Sequence, residues 1–241
     1  MLTISNKGKL MPESPIRKLV PFAEKAKQKG VKVFHLNIGQ PDIETPPAAI
    51  EAVRNSKIKV LAYSKSEGDI ELRNKICNYY SKLDIKINNS EVIVTSGASE
   101  ALLFTLGSIM DPSEEIIIPE PFYANYNGFS VANGVNITPI FSSIENNFKL
   151  PKIEDFENLI TEKTKGILIC NPNNPTGYVY SRDEIKTLVE IVKKHNLFLI
   201  ADEVYREFTY ENACHTSILE FSEIQKNAIV IDSVSKRYSM C

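Results

Sequence analysis

The chain has 241 residues, 43% apolar and 24% charged, with a formal net charge of -2. That length supports one large domain, or one domain with a small appendage, and an ordinary soluble composition. The near-neutral charge excludes an electrostatic case for nucleic acid or an anionic membrane surface as a partner.

Ser14-Pro15 is an N-cap and first-turn pair that predicts a basic amphipathic helix over residues 14–29, which Pro21 should kink or interrupt. A short strand is expected at Val33 to Leu36, followed by the turn-rich Gly39-Gln40-Pro41-Asp42. Helices are expected at residues 46–56 and 69–83; in the second, Ile70, Leu72, Ile76, Tyr79, Tyr80 and Leu83 approximate a helical stripe. From Glu91 onward the pattern becomes strand, helix, strand. Glu91 to Val94, Ile116 to Pro119, Val135 to Ile140, Gly166 to Cys170, Leu197 to Ala201 and Ala228 to Ile231 are short apolar runs. Glu100 to Met110 and Ser181 to His195 read as helices, the latter opening with a Ser-x-x-Glu capping box. Such an alternation predicts an α/β fold, a mostly parallel sheet with helices on both faces. No apolar run is long enough to span a bilayer, and no charged-then-apolar leader follows Met1. Cys77, Cys170, Cys214 and Cys241 lack CxxC spacing, so no metal site is expected; they read as reduced, mostly buried thiols of a cytoplasmic protein.

In open α/β sheets ligands bind beyond the carboxyl ends of the strands, so the polar residues after each apolar run carry the functional information. The first run ends in Thr95-Ser96-Gly97-Ala98-Ser99 and opens into a helix, whose N-terminal N–H groups favour an anion. Gly166 to Cys170 ends in Asn171-Pro172-Asn173-Asn174-Pro175-Thr176-Gly177, a constrained loop that can fix a side-chain amide in space. Leu197 to Ala201 ends in Asp202-Glu203-Val204-Tyr205, and a carboxylate leaving a buried strand needs a cationic or hydrogen-bonding partner. Ala228 to Ile231 ends in Asp232-Ser233-Val234-Ser235-Lys236, where partial burial and hydroxyl dipoles suit Lys236 to Schiff-base chemistry. Taken singly, these also describe a capped helix start, a tight turn, a capping Asp and a solvated lysine. Together they supply an anion cradle, an amide, a carboxylate and an amine. Pyridoxal 5'-phosphate presents the complementary phosphate, phenolic oxygen, ring nitrogen and aldehyde.

Asn-Pro-x-Asn-Pro-Thr-Gly, Asp-Glu-Val-Tyr and Ser-x-Ser-Lys, in this order, resemble the signature of the fold-type-I, class I/II aminotransferases over nearly the whole chain. The resemblance implies that Lys236 forms the Schiff base with the cofactor and moves the proton at the substrate α-carbon. It implies that Asp202 pairs with the ring nitrogen, and that Tyr205 and Asn174 hydrogen-bond the phenolic oxygen. Ala98, Ser99 and Ser233 would hold the phosphate, with help from Ser235. Tyr123, in Pro121-Phe122-Tyr123, matches an aromatic stacked on the cofactor, although it also suits a core position. Tyr63 matches a tyrosine that reaches the phosphate across a homodimer interface. Gly39 matches a loop glycine near the substrate carboxylate, which Asn174 would also contact.

The family continues beyond Ser-x-Ser-Lys into Gly-x-Arg-x-Gly, a further central strand and a C-terminal small domain, whereas here Lys236 lies five residues before Cys241. The resemblance therefore implies residues 1–45 as N-terminal arm and part of the small domain. Residues 46–241 would be the large cofactor-binding domain, incomplete at its C-terminus, with a gap beside the Lys236 strand. Little or no activity of this chain by itself is the accompanying expectation, because the arginine that clamps the substrate carboxylate lies in the further part. The implied reaction moves an amino group between an L-amino acid, with aspartate and aromatic side chains ahead, and a 2-oxo acid. A carbon–sulfur lyase of the same fold and a non-catalytic cofactor-binding fragment are the alternatives.

Overall fold

The computed structural model describes residues 2–241. Helices α1 (Asn6–Leu10), α2 (Val20–Gln28), α3 (Pro47–Arg54), α4 (Ile70–Ser81) and α5 (Ala98–Ile109) precede the sheet. Then follow β1 (Glu115–Glu120), α6 (Asn125–Asn133), β2 (Asn136–Phe141), α7 (Ile153–Leu159), β3 (Thr164–Cys170) and α8 (Arg182–His195). The chain continues through β4 (Phe198–Asp202) and β5 (Ala228–Ile231) to α9 (Val234–Arg237). The strands form one sheet in the order β2-β1-β3-β4-β5, every pair parallel.

Alternation along the strands builds two cores. Ile117, Ile167, Ile169, Leu199 and Ala201 face one side and pack with Phe156 of α7 and with Ile185, Leu188 and Val192 of α8. Ile116, Ile118, Leu168, Ile200 and Ile231 face the other and meet Leu102 and Leu106 of α5 and Tyr126 of α6. With helices on both sides, neither face of the central strands is solvated along its middle, which is why their middles are continuously apolar and polar residues stand at their ends. The Ser181 capping box is present: its hydroxyl accepts from the Glu184 N–H, and Glu184 accepts from the Ser181 N–H.

Several expectations need correction. Pro21 sits in the first turn of α2 and starts that helix, because a first-turn residue needs no intrahelical N–H partner. Ser14 instead caps a separate 3-10 turn at Arg17–Leu19, accepting from the Arg17 N–H. Val33 to Leu36 is no strand; Phe34 and Leu36 are 69% and 94% exposed, without a neighbour to pair with. Glu91 to Val94 also stays outside the sheet. Its Val94 N–H bonds the Glu67 carbonyl, and β5 is bonded to β4 alone. The stripe on α4 buries only Tyr80 of the six named side chains, while Arg73 is buried instead, donating to the Asn89 carbonyl at 2.9 Å. The cysteines are all free thiols, but only Cys170 is buried; sequence spacing carries no information on which small side chains the helices cover.

Among the described residues none from 2 to 72 is buried, and the chain exposes 16061 Å². A compact monomer of 27.1 kDa scales to roughly 11,000 Å². No described helix is long and apolar enough to cross a membrane.

Stability therefore rests on the sheet and the helices against it. Leu188→Ala, at a fully buried position, is expected to lower unfolding free energy by about 3 kcal/mol. Ser181→Ala should cost about 1 kcal/mol through the lost cap. Urea denaturation followed by circular dichroism measures both.

Candidate active site at the strand ends

Because all five strands run parallel, their carboxyl ends share one edge, and register aligns the ends closely. Cys170 on β3 is paired with Asp202 on β4, and Asp202 with Ile231 on β5. The three loops that follow start side by side.

Asp202 is 4% exposed. Its Oδ2 accepts from the Tyr126 hydroxyl at 2.8 Å, and Oδ1 accepts from the Val204 N–H at 3.4 Å. Among the described residues no cation pairs with it. Burial pushes its carboxyl up to about 6, against the pull of those two donors. This is a carboxylate desolvated without a counter-ion, an arrangement that costs free energy unless a cationic group arrives.

Glu203, the next residue, points to the opposite side, as alternation requires. It pairs with Arg206 and accepts from Ser217 Oγ at 2.9 Å and the Ile218 N–H at 3.2 Å. Burial outweighs these partners and pushes Glu203 up to about 7. Arg206 donates on to the Tyr80 hydroxyl, Tyr80 to Asp232, and Asp232 accepts from Arg237 at 3.0 and 3.1 Å. This chain of contacts ties the segment after β4 to the segment after β5, and nothing in the spacing of these residues announced it.

The Asn171–Gly177 loop sorts its three amides. Asn171 donates to the Thr216 carbonyl at 3.2 Å and accepts from the Tyr180 N–H at 3.0 Å. Asn173 accepts from the Thr176 N–H and hydroxyl. Asn174, half-buried, makes no side-chain hydrogen bond within the described protein. Two asparagines staple the loop and the third keeps its amide free of partners among the described residues.

Lys236, in α9, donates from Nζ to the Gly39 carbonyl at 3.0 Å. A side chain at Gly39 would come within 3.7 Å of the Tyr205 hydroxyl, so the early loop passes close to both. Thr45 Oγ1 to the Ser239 carbonyl and Ser239 Oγ to the Ile43 carbonyl, 2.5 and 2.8 Å, hold that loop against the segment after α9. Tyr205 is half-buried, and burial first, then the nearby Cys170 and Asp202, push its phenol up to about 12; it is a donor at neutral pH. Ser233 caps α9, and its hydroxyl shares a 2.9 Å contact with Ser235.

Gly97, at φ +83°, turns the backbone into α5 without a side-chain cap. Among the described residues the N–H groups of Ala98 and Ser99 have no acceptor, although Glu100 already accepts from the Ser96 N–H at 2.6 Å. Tyr123 packs edge-on to Tyr126 at 5.5 Å and accepts from Asn125 at 2.7 Å. Tyr63 is fully exposed and touches none of these groups. A groove lined by Met11, Pro15, Leu103, Gly128 and Phe129 lies elsewhere and is mostly apolar.

Sequence reading overlooked Tyr126 and Arg206. Tyr126 stands one helical turn beyond Tyr123, and that spacing was the available signal.

A family model described as aminotransferase class I and II matches residues 31–241. The aspartate aminotransferase of Thermotoga maritima is 36% identical over 233 residues, 95% of this chain and 61% of that protein. The (5-formylfuran-3-yl)methyl phosphate transaminase of Methanocaldococcus jannaschii is 35% identical over 226 residues, 92% of this chain and 57% of that protein. A crystal structure of aspartate aminotransferase from Thermotoga maritima superposes with a TM-score of 0.92 at 34% identity, covering 98% of this chain and 63% of that one. The chain spans about three-fifths of the length of the curated relatives it matches.

The unpaired charge of Asp202 has a pH signature. Its folded-state pKa, about 6, lies above the ordinary 3.8, so the folded chain holds this proton more tightly than the unfolded chain. The resulting stability is present below the ordinary value and is lost as pH rises through the folded one. Asp202→Asn is therefore expected to stabilise the cofactor-free chain at pH 7.5 by on the order of 3 kcal/mol. The advantage should vanish near pH 4, as thermal melts at the two pH values would show.

Proposed function

The chain belongs to the aminotransferase class I and II family, whose members depend on pyridoxal 5'-phosphate, and we propose that its strand-end site holds this cofactor to move an amino group between an L-amino acid and a 2-oxo acid. The observation that carries the reading is Asp202, a carboxylate buried without a cation at the end of β4. The remaining donor set fits the same group. Unpaired N–H groups at the start of α5 suit a phosphate, Asn174 and Tyr205 suit a phenolic oxygen, and Lys236 is the amine.

When bound, pyridoxal 5'-phosphate supplies an aldehyde to which amines add and a cationic ring that takes up an electron pair. In this reading Lys236, whose Nζ now donates to the Gly39 carbonyl, would hold the aldehyde end and would carry a proton to and from the substrate α-carbon. Asp202 keeps the ring nitrogen protonated. Tyr205 and Asn174 would donate to the phenolic oxygen, and Tyr123 would pack against the ring. Ala98, Ser99 and Ser233 receive the phosphate, with Ser233 giving up its contact to Ser235. Gly39 and Asn174 take the substrate carboxylate. Exposed Tyr63 serves the phosphate of a second copy in a homodimer. Residues 1–45 act as arm and small-domain portion and 46–241 as the cofactor domain, in a cytoplasmic protein. The aspartate aminotransferase among the relatives supports aspartate as the first substrate to test, with aromatic amino acids next.

Titration with pyridoxal 5'-phosphate should give a protein-dependent visible absorbance band that Lys236→Ala abolishes; a wild-type chain with no such band would refute the reading. Two asparagines of one loop should separate structure from binding. Asn171→Ala is expected to lose about 2 kcal/mol of stability, because it strands buried backbone partners. Asn174→Ala should leave the cofactor-free melt unchanged and weaken cofactor binding roughly tenfold, the loss of about one hydrogen bond to a charged group.

A further inference from the structure

Asp202 has titratable neighbours on several elements around it. Tyr126 of α6 contacts it directly, and Tyr123 in the loop before α6, Cys170 at the end of β3, Tyr205 in the turn after β4 and Asp232 after β5 are near enough to interact with its charge. None of these is a cation. Asp232 opposes ionisation by like charge, and Cys170 and the tyrosines are neutral while protonated. Ionised Asp202 is therefore supported within the protein by two donors, the Tyr126 hydroxyl at 2.8 Å and the long Val204 N–H contact at 3.4 Å.

The Tyr126 ring is 1% exposed and held on two sides. Phe122 stacks on it with centroids 6.1 Å apart, and Tyr123 meets it edge-on at 5.5 Å. Both neighbours come from the loop after β1, so the hydroxyl has little freedom to leave the carboxylate. A phenol buried beside a carboxylate also keeps its proton, and the burial of Tyr126 pushes it well above its ordinary range. The group is thus a fixed, permanently protonated donor.

We infer that Tyr126 is a positioning residue: its hydroxyl keeps the Asp202 carboxylate ionised and aimed at the strand-end site, linking the aromatic loop after β1 to the carboxylate after β4. The inference rests on the reading of Asp202 as the partner of the cofactor's ring nitrogen. It adds a residue that acts through Asp202 without touching the ring.

The test is the titration of Asp202 itself. In the cofactor-free chain the Asp202 carboxyl carbon is followed by ¹³C NMR, its signal identified by its loss in Asp202→Asn. Tyr126→Phe removes one oxygen and should move the Asp202 midpoint up by about one pH unit, a tenfold change in proton affinity. With cofactor added, the pH below which pyridoxal 5'-phosphate affinity falls should rise by the same amount, with the Lys236-dependent band intact. An unmoved midpoint beside an intact band overturns the role of Tyr126 and leaves the cofactor reading standing. No Lys236-dependent band in the wild-type chain overturns the cofactor reading and the positioning role with it. Should Tyr126→Phe fail to fold, 3-fluorotyrosine placed at position 126, a stronger donor, should move the midpoint down; no movement there also overturns the inference.

Discussion

Parallel pairing of β3, β4 and β5 is the constraint from which the site follows. Cys170, Asp202 and Ile231 stand abreast, so the Asn171–Gly177 loop, the Asp202–Tyr205 turn and the Ser233–Lys236 helix start leave the sheet at one level. A one-residue slip of β4 would exchange the faces of Asp202 and Glu203. The carboxylate would then enter the Arg206 cluster, and the group already satisfied by Arg206, Ser217 and Ile218 would face the site. Register is held by the two cores, because Leu199 and Ala201 belong to one and Ile200 to the other.

Electrostatics divides the two adjacent acids by the same alternation. Both are buried, and burial raises both. Glu203 has an internal cation and a structural task, fastening β4 to the 215–218 segment and, through Arg206, Tyr80 and Asp232, to the start of α9. Asp202 has donors and, among the described residues, no cation. The difference lies in what stands opposite each carboxylate, and it separates a paired tether from an unpaired acid more clearly than burial does.

Much of this was legible in the chain. The strands β1 to β5 were each marked by a short apolar run bounded by polar turns, and α8 by its capping box. The polar residues after those runs carried the candidate chemistry. Where reading failed, a partner was involved. Val33 to Leu36 and Glu91 to Val94 have strand-like composition, but strand structure needs a ladder to a neighbouring backbone, and the single Val94–Glu67 bond does not make one. Arg73 lies buried on α4 because the Asn89 carbonyl receives it, a contact across the turn that periodicity does not encode.

The sequence by itself determined the element types, the alternation that makes two cores, and the residue kinds at each strand end, since these depend on local propensity and on the period of apolar residues. Only the tertiary structure decided which of those residues are spent. Asn171 and Asn173 are consumed in holding their loop while Asn174 is not, Glu203 is paired while Asp202 is not, and Tyr126, unremarkable along the chain, is the donor on the unpaired carboxylate. The partners that decide Asn171 and Asp202 lie 45 and 76 positions away, brought together by packing, and a linear pattern holds no record of them.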